Sequence, residues 1–392
     1  MHELVIYALF AAALLWGVFR RNEKMTAAEW ILCAAVVLVL GVRFSINGDT
    51  KVYAWIFNVV EHPLQEAMVS HARRNVLYSL LSWVVKIAFG EFRWLVLIQN
   101  VLILLGCGWV IFRFSKNIIL SFLLFTGGGM LEVYYGSGVR QALAMTVFLA
   151  GFYAFLPKKK YLLYELMCLI AFGFQDIALA SMILPLLYLF VKPFKAHPVR
   201  VILIFTVLSL ILLGFITFFM SDFAYWLIDT VGPAPVWTHV IAYARFQQFS
   251  IMGIGMETVF FAGTLLLYYF AEKDGFDDFT YFSVLVFLSS IWIYYAFACY
   301  DLMSRVSDFI QIIMLVLIPQ LFAAIPKKSV KAAAAFALIA LNAVLLYADI
   351  TANLRRMNEV LGTSFTIRTY PYVCVFDTKR VAYYQVLLDG EE

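Results

Sequence analysis

Long apolar runs alternate with short polar breaks along the whole chain. Leu4 to Phe19, Trp94 to Ile111, Val201 to Met220, Tyr281 to Ala298 and Ile310 to Ala324 contain no charged residue. Most of these runs approach or exceed the roughly 18–20 residues that an α-helix needs to cross hydrocarbon. Reading runs and breaks together predicts spans near residues 4–19, 27–43, 92–113, 117–131, 139–156, 161–174, 177–191, 199–219, 251–271, 279–298, 306–325 and 330–348. Between the second and third spans lies a polar stretch from Phe44 to Arg74. It is followed by a largely apolar piece, Asn75 to Phe89, with Lys86 near its end. That piece reads as a re-entrant or interfacial helix. The pattern predicts an all-α, polytopic helical membrane protein of about 10–12 transmembrane helices. One membrane domain is expected over residues 1–392, with an outer loop plus re-entrant helix at 44–90 and a short outer tail at 349–392.

Composition agrees with this reading. Apolar residues make up 64% of the 392 and charged residues 14%, against about 45–50% and 25% in an ordinary soluble domain. The first run has no basic region before it and no small-residue cleavage site before Arg20 and Arg21, so it reads as a span, not a signal peptide. The cysteines, Cys33, Cys107, Cys168, Cys299 and Cys374, are odd in number and show no CxxC spacing, which argues against zinc and against a disulfide framework. The net charge of +4 is small and no basic face forms, so nucleic acid is not an expected partner.

The type of basic residue changes the picture more than its number. If each span crosses once, Lys24, Lys116, Lys158 to Lys160, Lys192, Lys195, Lys273, Lys327, Lys328 and Lys331 fall on one side with only four arginines, which the positive-inside rule makes cytoplasmic. The opposite side holds Arg43, Arg73, Arg74, Arg93, Arg140, Arg245, Arg305, Arg355, Arg356, Arg368 and Arg380 with only Lys51, Lys86 and Lys379. Topology alone does not distinguish lysine from arginine, whereas the planar guanidinium fork suits phosphate and carboxylate oxygens. The outer face therefore reads as an anion site, although the tail arginines Arg355, Arg356, Arg368 and Arg380 read better as headgroup anchors.

Four clusters on that face carry candidate chemistry. Arg43 precedes Asn47, Gly48, Asp49, Thr50 and Tyr53, where Asp49 is either a carboxylate beside a substrate or the cap of the next helix. Glu132, Tyr134, Tyr135, Gly136, Ser137 and Gly138 lead into Arg140 and Gln141, placing a charge at the start of an apolar helix, where anions bind and an unpartnered charge is costly. Gln175 and Asp176 form a polar break. Tyr300, Asp301 and Arg305 open the eleventh span, with Asp301 and Arg305 spaced to pair on one helix face. The rings of Tyr134, Tyr135, Trp237, Tyr294, Tyr295 and Tyr300 suit sugar stacking or an interfacial aromatic belt. No Walker loop, HExxH helix or GxSxG elbow occurs.

These pieces resemble the EpsG family of exopolysaccharide and O-antigen polymerases, which are Wzy-like multi-span proteins. The resemblance is carried by Arg43 with Gly48, Asp49, Thr50 and Tyr53; by Leu77 to Leu81; by Val139 to Ala144; by Phe174 to Ala178; by Arg305 to Phe309; and by Tyr370, Pro371 and Tyr372. Gln175 and Asp176 stand where the family often has a His, and Asn75 stands where it often has an acid, so no role for that His or acid carries over. The resemblance implies a multi-pass protein of the bacterial cytoplasmic (inner) membrane with its active site on the periplasmic side. It implies a glycosyltransferase that joins polyprenyl-pyrophosphate-linked oligosaccharide repeats without a metal or other cofactor, among membrane lipids and beside a chain-length regulator and a flippase. Arg140, Arg305 and Arg43 are then expected to hold pyrophosphate, with Tyr53, Gln141, Gln175 and Tyr300 lining the site. Asp49 is the leading base, with Asp176 and Asp301 as rivals. An O-antigen ligase would share the arginines, and a modest Ser221 to Ser250 outer loop favours the polymerase. A transporter or flippase would be expected to show internal repeats and midplane charges.

Overall fold

The computed structural model describes residues 2–19, 25–44, 50–62, 75–127, 138–231, 251–272, 275–298, 301–361, 364–366 and 373–389. Each predicted span has a helical counterpart. Seven helices among the described residues are long and apolar enough to cross a membrane: Phe92–Phe114, Val139–Lys158, Asp176–Ala196, Pro198–Ile216, Gly253–Phe270, Asp278–Ala296 and Lys328–Ala352. Arg305–Gln311 and Met314–Ala323, bent by 48° at a short break, make an eighth if taken as one span. Leu4–Val18, Ala27–Gly41, Val76–Phe89, Ile118–Gly127 and Tyr161–Phe174 are shorter apolar helices. The protein is thus a polytopic helical membrane protein. The physical reason is that helices satisfy their own backbone where lipid offers no hydrogen bonds.

Local chemistry sets the irregular points. Thr26 and Glu29 form a reciprocal capping box that starts the Ala27–Gly41 helix. Gly90, at φ 75°, ends the Val76–Phe89 helix in the left-handed region and turns the chain into Phe92–Phe114. Asp176–Phe190 is wound as a 3₁₀ helix containing Pro185 and runs on into Val191–Ala196. At the 48° break the bonding tightens to i→i−3, with Ile313 N donating to Ile310 O and Leu315 N to Ile312 O.

Side-chain contacts fix the relative levels of these helices. Val76–Phe89 folds back antiparallel on Phe92–Phe114: Phe89 meets Trp94 at a ring distance of 5.6 Å, and the Tyr78 hydroxyl lies 3.5 Å from Gln99 Oε1. Phe92–Phe114 and Val139–Phe155 run parallel, with Cys107 Sγ 3.4 Å from Thr146 Oγ1 and Phe114 5.9 Å from Tyr153. The equal spacing of those pairs places Arg140 level with Val101, one residue past Asn100. Phe148 meets Phe309 at 5.1 Å, and Tyr153 Oη donates to Ile313 O at 2.9 Å, so the Asp301–Gln311 helix runs parallel as well. An aromatic core of Phe148, Phe152, Phe279, Phe282 and Tyr188 holds this part together, with Tyr188 stacked on Phe282 at 3.9 Å.

Candidate functional site

Asn75 lies at the centre of the site. It is buried, and its two neighbours dictate how its amide is oriented. In that orientation Oδ1 accepts from Arg140 Nη1 at 2.7 Å and Nδ2 donates to Asp176 Oδ1 at 3.1 Å. One amide therefore joins three elements: the start of Val76–Phe89, the start of Val139–Phe155 and the start of the 3₁₀ segment. Gly173 allows the last of these contacts. A Cβ there would sit 2.5 Å from Leu77 Cγ, so only glycine lets the chain before Asp176 approach so closely.

Arg140 follows Gly138, which offers no side-chain cap, so among the described residues the first N–H groups of Val139–Phe155 have no capping side chain. Its guanidinium carbon lies 5.5 Å from the centre of the Tyr53 ring, and Tyr53 packs in turn on Tyr78 at 5.5 Å. Both tyrosines are buried. Among the described residues Arg140 Nε is buried without a hydrogen-bond partner. A guanidinium held by one amide oxygen and one ring face, beside an uncapped helix start, keeps donors in reserve for an anion.

Arg43 sits at the same level, held through its backbone. Asn100 Nδ2 donates to Arg43 O at 2.8 Å and more weakly to Gly41 O at 3.4 Å, satisfying carbonyls at the end of Ala27–Gly41. The tail closes over the other side: Phe44 N donates to Val373 O at 2.7 Å and Val375 N to Val42 O at 2.8 Å, an antiparallel bridge of Arg43 with Cys374. Arg43 is 3% exposed.

This level lies well inside the bundle. Asn100 is eight residues into Phe92–Phe114, or roughly 12 Å along the helix at 1.5 Å per residue. Arg43, Tyr53, Asn75, Tyr78, Gln99, Asn100 and Arg140 thus share a recessed layer that the longest neighbouring helix rises past. Arg305 is exposed and heads the helix whose Phe309 meets Phe148, which puts it about one helical turn, roughly 5 Å, deeper than Arg140. Gln141 is buried beside Arg140 in sequence, and Gln175 caps Tyr161–Phe174 through its N–H to Ala171 O at 3.0 Å. Asp49, Tyr300 and Glu132 to Ser137 lie outside the described residues, as does the side chain of Asp301.

A match to the EpsG family covers residues 30–372, most of the chain. The chain belongs to the EpsG family. No curated protein and no solved structure matches it. Against the EpsG pattern, Asn75 acquires a meaning that sequence reasoning missed: the amide standing where the family often has an acid bridges the arginine to Asp176. Gln99 and Asn100 were missed too. Two adjacent amides in the 23-residue helix, away from the arginines at its ends, were the available signal, because such groups need partners in hydrocarbon. Among the described residues no three His, Cys, Asp or Glu side chains converge, and positive charge here is carried by arginine.

Proposed function

We propose that this protein is a polysaccharide polymerase that transfers a growing glycan from its polyprenyl pyrophosphate to a sugar hydroxyl of the next lipid-linked repeat, at the outer face of the bacterial cytoplasmic membrane. EpsG membership carries the coarse part of that reading, a polysaccharide polymerase-like membrane protein. The finer part rests on one observation, the Arg140–Asn75–Asp176 bridge over Tyr53. In the reaction the acceptor oxygen bonds to the anomeric carbon, the bond from that carbon to the pyrophosphate oxygen breaks, and the acceptor proton passes to a carboxylate. Negative charge grows on the departing pyrophosphate. Arg140, with Arg305 a turn deeper and Arg43 assisting, neutralises it. Asp49 and Asp176 are the base candidates, with Asp301 third. The bridge supports Asp176 because the Asn75 amide holds its carboxylate beside the arginine; its exposure leaves it open to an acceptor.

The test is glycan length in a strain lacking the protein, complemented with the parent chain or with Arg140→Ala, with membrane abundance measured each time. Single lipid-linked repeats on the outer leaflet, and an Arg140→Ala chain of normal abundance that leaves them single, are the expected result. Repeats stranded on the cytoplasmic leaflet would mean a flippase, and long unattached chains a ligase. Unchanged glycans would reject all three.

A further inference from the structure

A second buried polar chain lies on the opposite side of the Asp301–Gln311 helix, and nothing in the transfer step uses it. Glu257, 8% exposed within the apolar helix Ile251–Phe270, accepts from Gln311 Nε2 at 2.8 Å. The same Nε2 donates to Ser307 Oγ at 2.9 Å, and Ser307 Oγ donates to Ser290 O at 2.8 Å. Ser307 and Ser290 are fully buried. The chain therefore ties three helices together at a single point. Gln311 is also the last residue before the 48° break.

Helical spacing gives this arrangement a direction. Arg305 and Phe309 are four residues apart and share one face, and Phe309 packs on Phe148 of the helix headed by Arg140. Ser307 and Gln311, also four apart, share the face turned toward Glu257. The helix is pinned from behind by the polar chain and presents Arg305 toward the arginine layer. A carboxyl inside an apolar span is costly and persists where it has a task. Apolar packing tolerates small rotations more readily than a hydrogen-bonded chain, whose donors and acceptors must stay in line.

We propose that Glu257 and Gln311 are positioning residues that set the rotation and tilt of the Asp301–Gln311 helix, and so the aim of Arg305 at the pyrophosphate. The inference deepens the polymerase reading and rests on it. Its test uses the full chain with its five cysteines replaced, spin-labelled at Leu179→Cys and Asp308→Cys, both exposed on packed neighbouring elements, alongside glycan length in cells.

Glu257→Leu and Gln311→Leu should shift or broaden the label distance and lower long-chain yield by about 10- to 100-fold, as misplaced catalytic groups do. Glu257→Gln keeps an oxygen acceptor for Gln311 and should change neither. If the single leucine variants lose abundance, the double Glu257→Leu/Gln311→Leu chain removes both polar partners and should recover it, with the distance still shifted and the glycans still short. Unchanged distances in both leucine variants would overturn positioning, and so would shifted distances with normal glycans or a double chain of parental distance. Unchanged glycans in the strain lacking the protein would instead mean that the polymerase reading had failed.

Discussion

The two ends of the bundle use positive charge in opposite ways. At the lysine-rich end, Lys195 Nζ meets Asp278 Oδ1 at 2.8 Å with both side chains well exposed, and Lys331 Nζ reaches Ala323 O from an exposed position. Short turns through Lys158, Lys159 and Lys160 join neighbouring helices there, with Lys159 at φ 54°. At the other end Arg140 lies below the helix tops, resting on Tyr53 and bound to a buried amide. Lysine's compact ammonium is served by water and costs little where it is. Arginine's fork has been brought into the bundle and given only part of the partners it can take. The difference teaches that charge type goes with burial: the lysines at one end stay in the open, whereas Arg140 is drawn in against an amide and a ring.

Four substitutions would break or sharpen this contrast. The largest effect is expected from Arg140→Lys, which keeps the charge but loses the planar fork and its stacking on Tyr53. Polymerisation measured with purified protein and lipid-linked repeats should fall by about 100-fold or more, the scale on which one charge-stabilising donor acts. Near-parental rates would show that charge alone suffices and would erase the distinction between the ends. Asn75→Leu should come next, with a drop of roughly 10-fold, because Arg140 and Asp176 lose their bridge while neither is removed. An acid at the same place, Asn75→Asp, would still accept from Arg140 but would repel Asp176, so its rate against Asn75→Leu separates the two halves of the bridge. Lys195→Ala should have the smallest effect, leaving membrane abundance and glycan length at parental values, since its ion pair is exposed. A loss of either there would mean that the lysine end carries more than orientation.

The architecture was readable from hydropathy almost throughout. All twelve predicted spans have helical counterparts, and Asn75 to Phe89, read as re-entrant or interfacial, is a helix that folds back along Phe92–Phe114. Twenty apolar residues have few alternatives to a helix in lipid, so the pattern and the structure coincide. The site was readable only in part. Arg140, Asp176 and Tyr53 were selected as candidates and do come together; Arg43 shares their level through Asn100. Asn75 was noted only as a departure from the family pattern and given no role, and only its neighbours from two distant segments show what its amide joins.

By itself the sequence determined that the chain is a multi-span helical membrane protein and that, with each span crossing once, lysine predominates in one set of loops and arginine in the other. Both follow from local rules: transfer into hydrocarbon acts on each run of residues, and charge type can be counted loop by loop. Only the tertiary structure decided how deep the arginine layer lies, which amide joins Arg140 to Asp176, and that Glu257 meets Gln311 at a bend. Those outcomes depend on how far each helix slides along its neighbours. That register is set by side chains interlocking between segments far apart in the chain, and no single segment carries it.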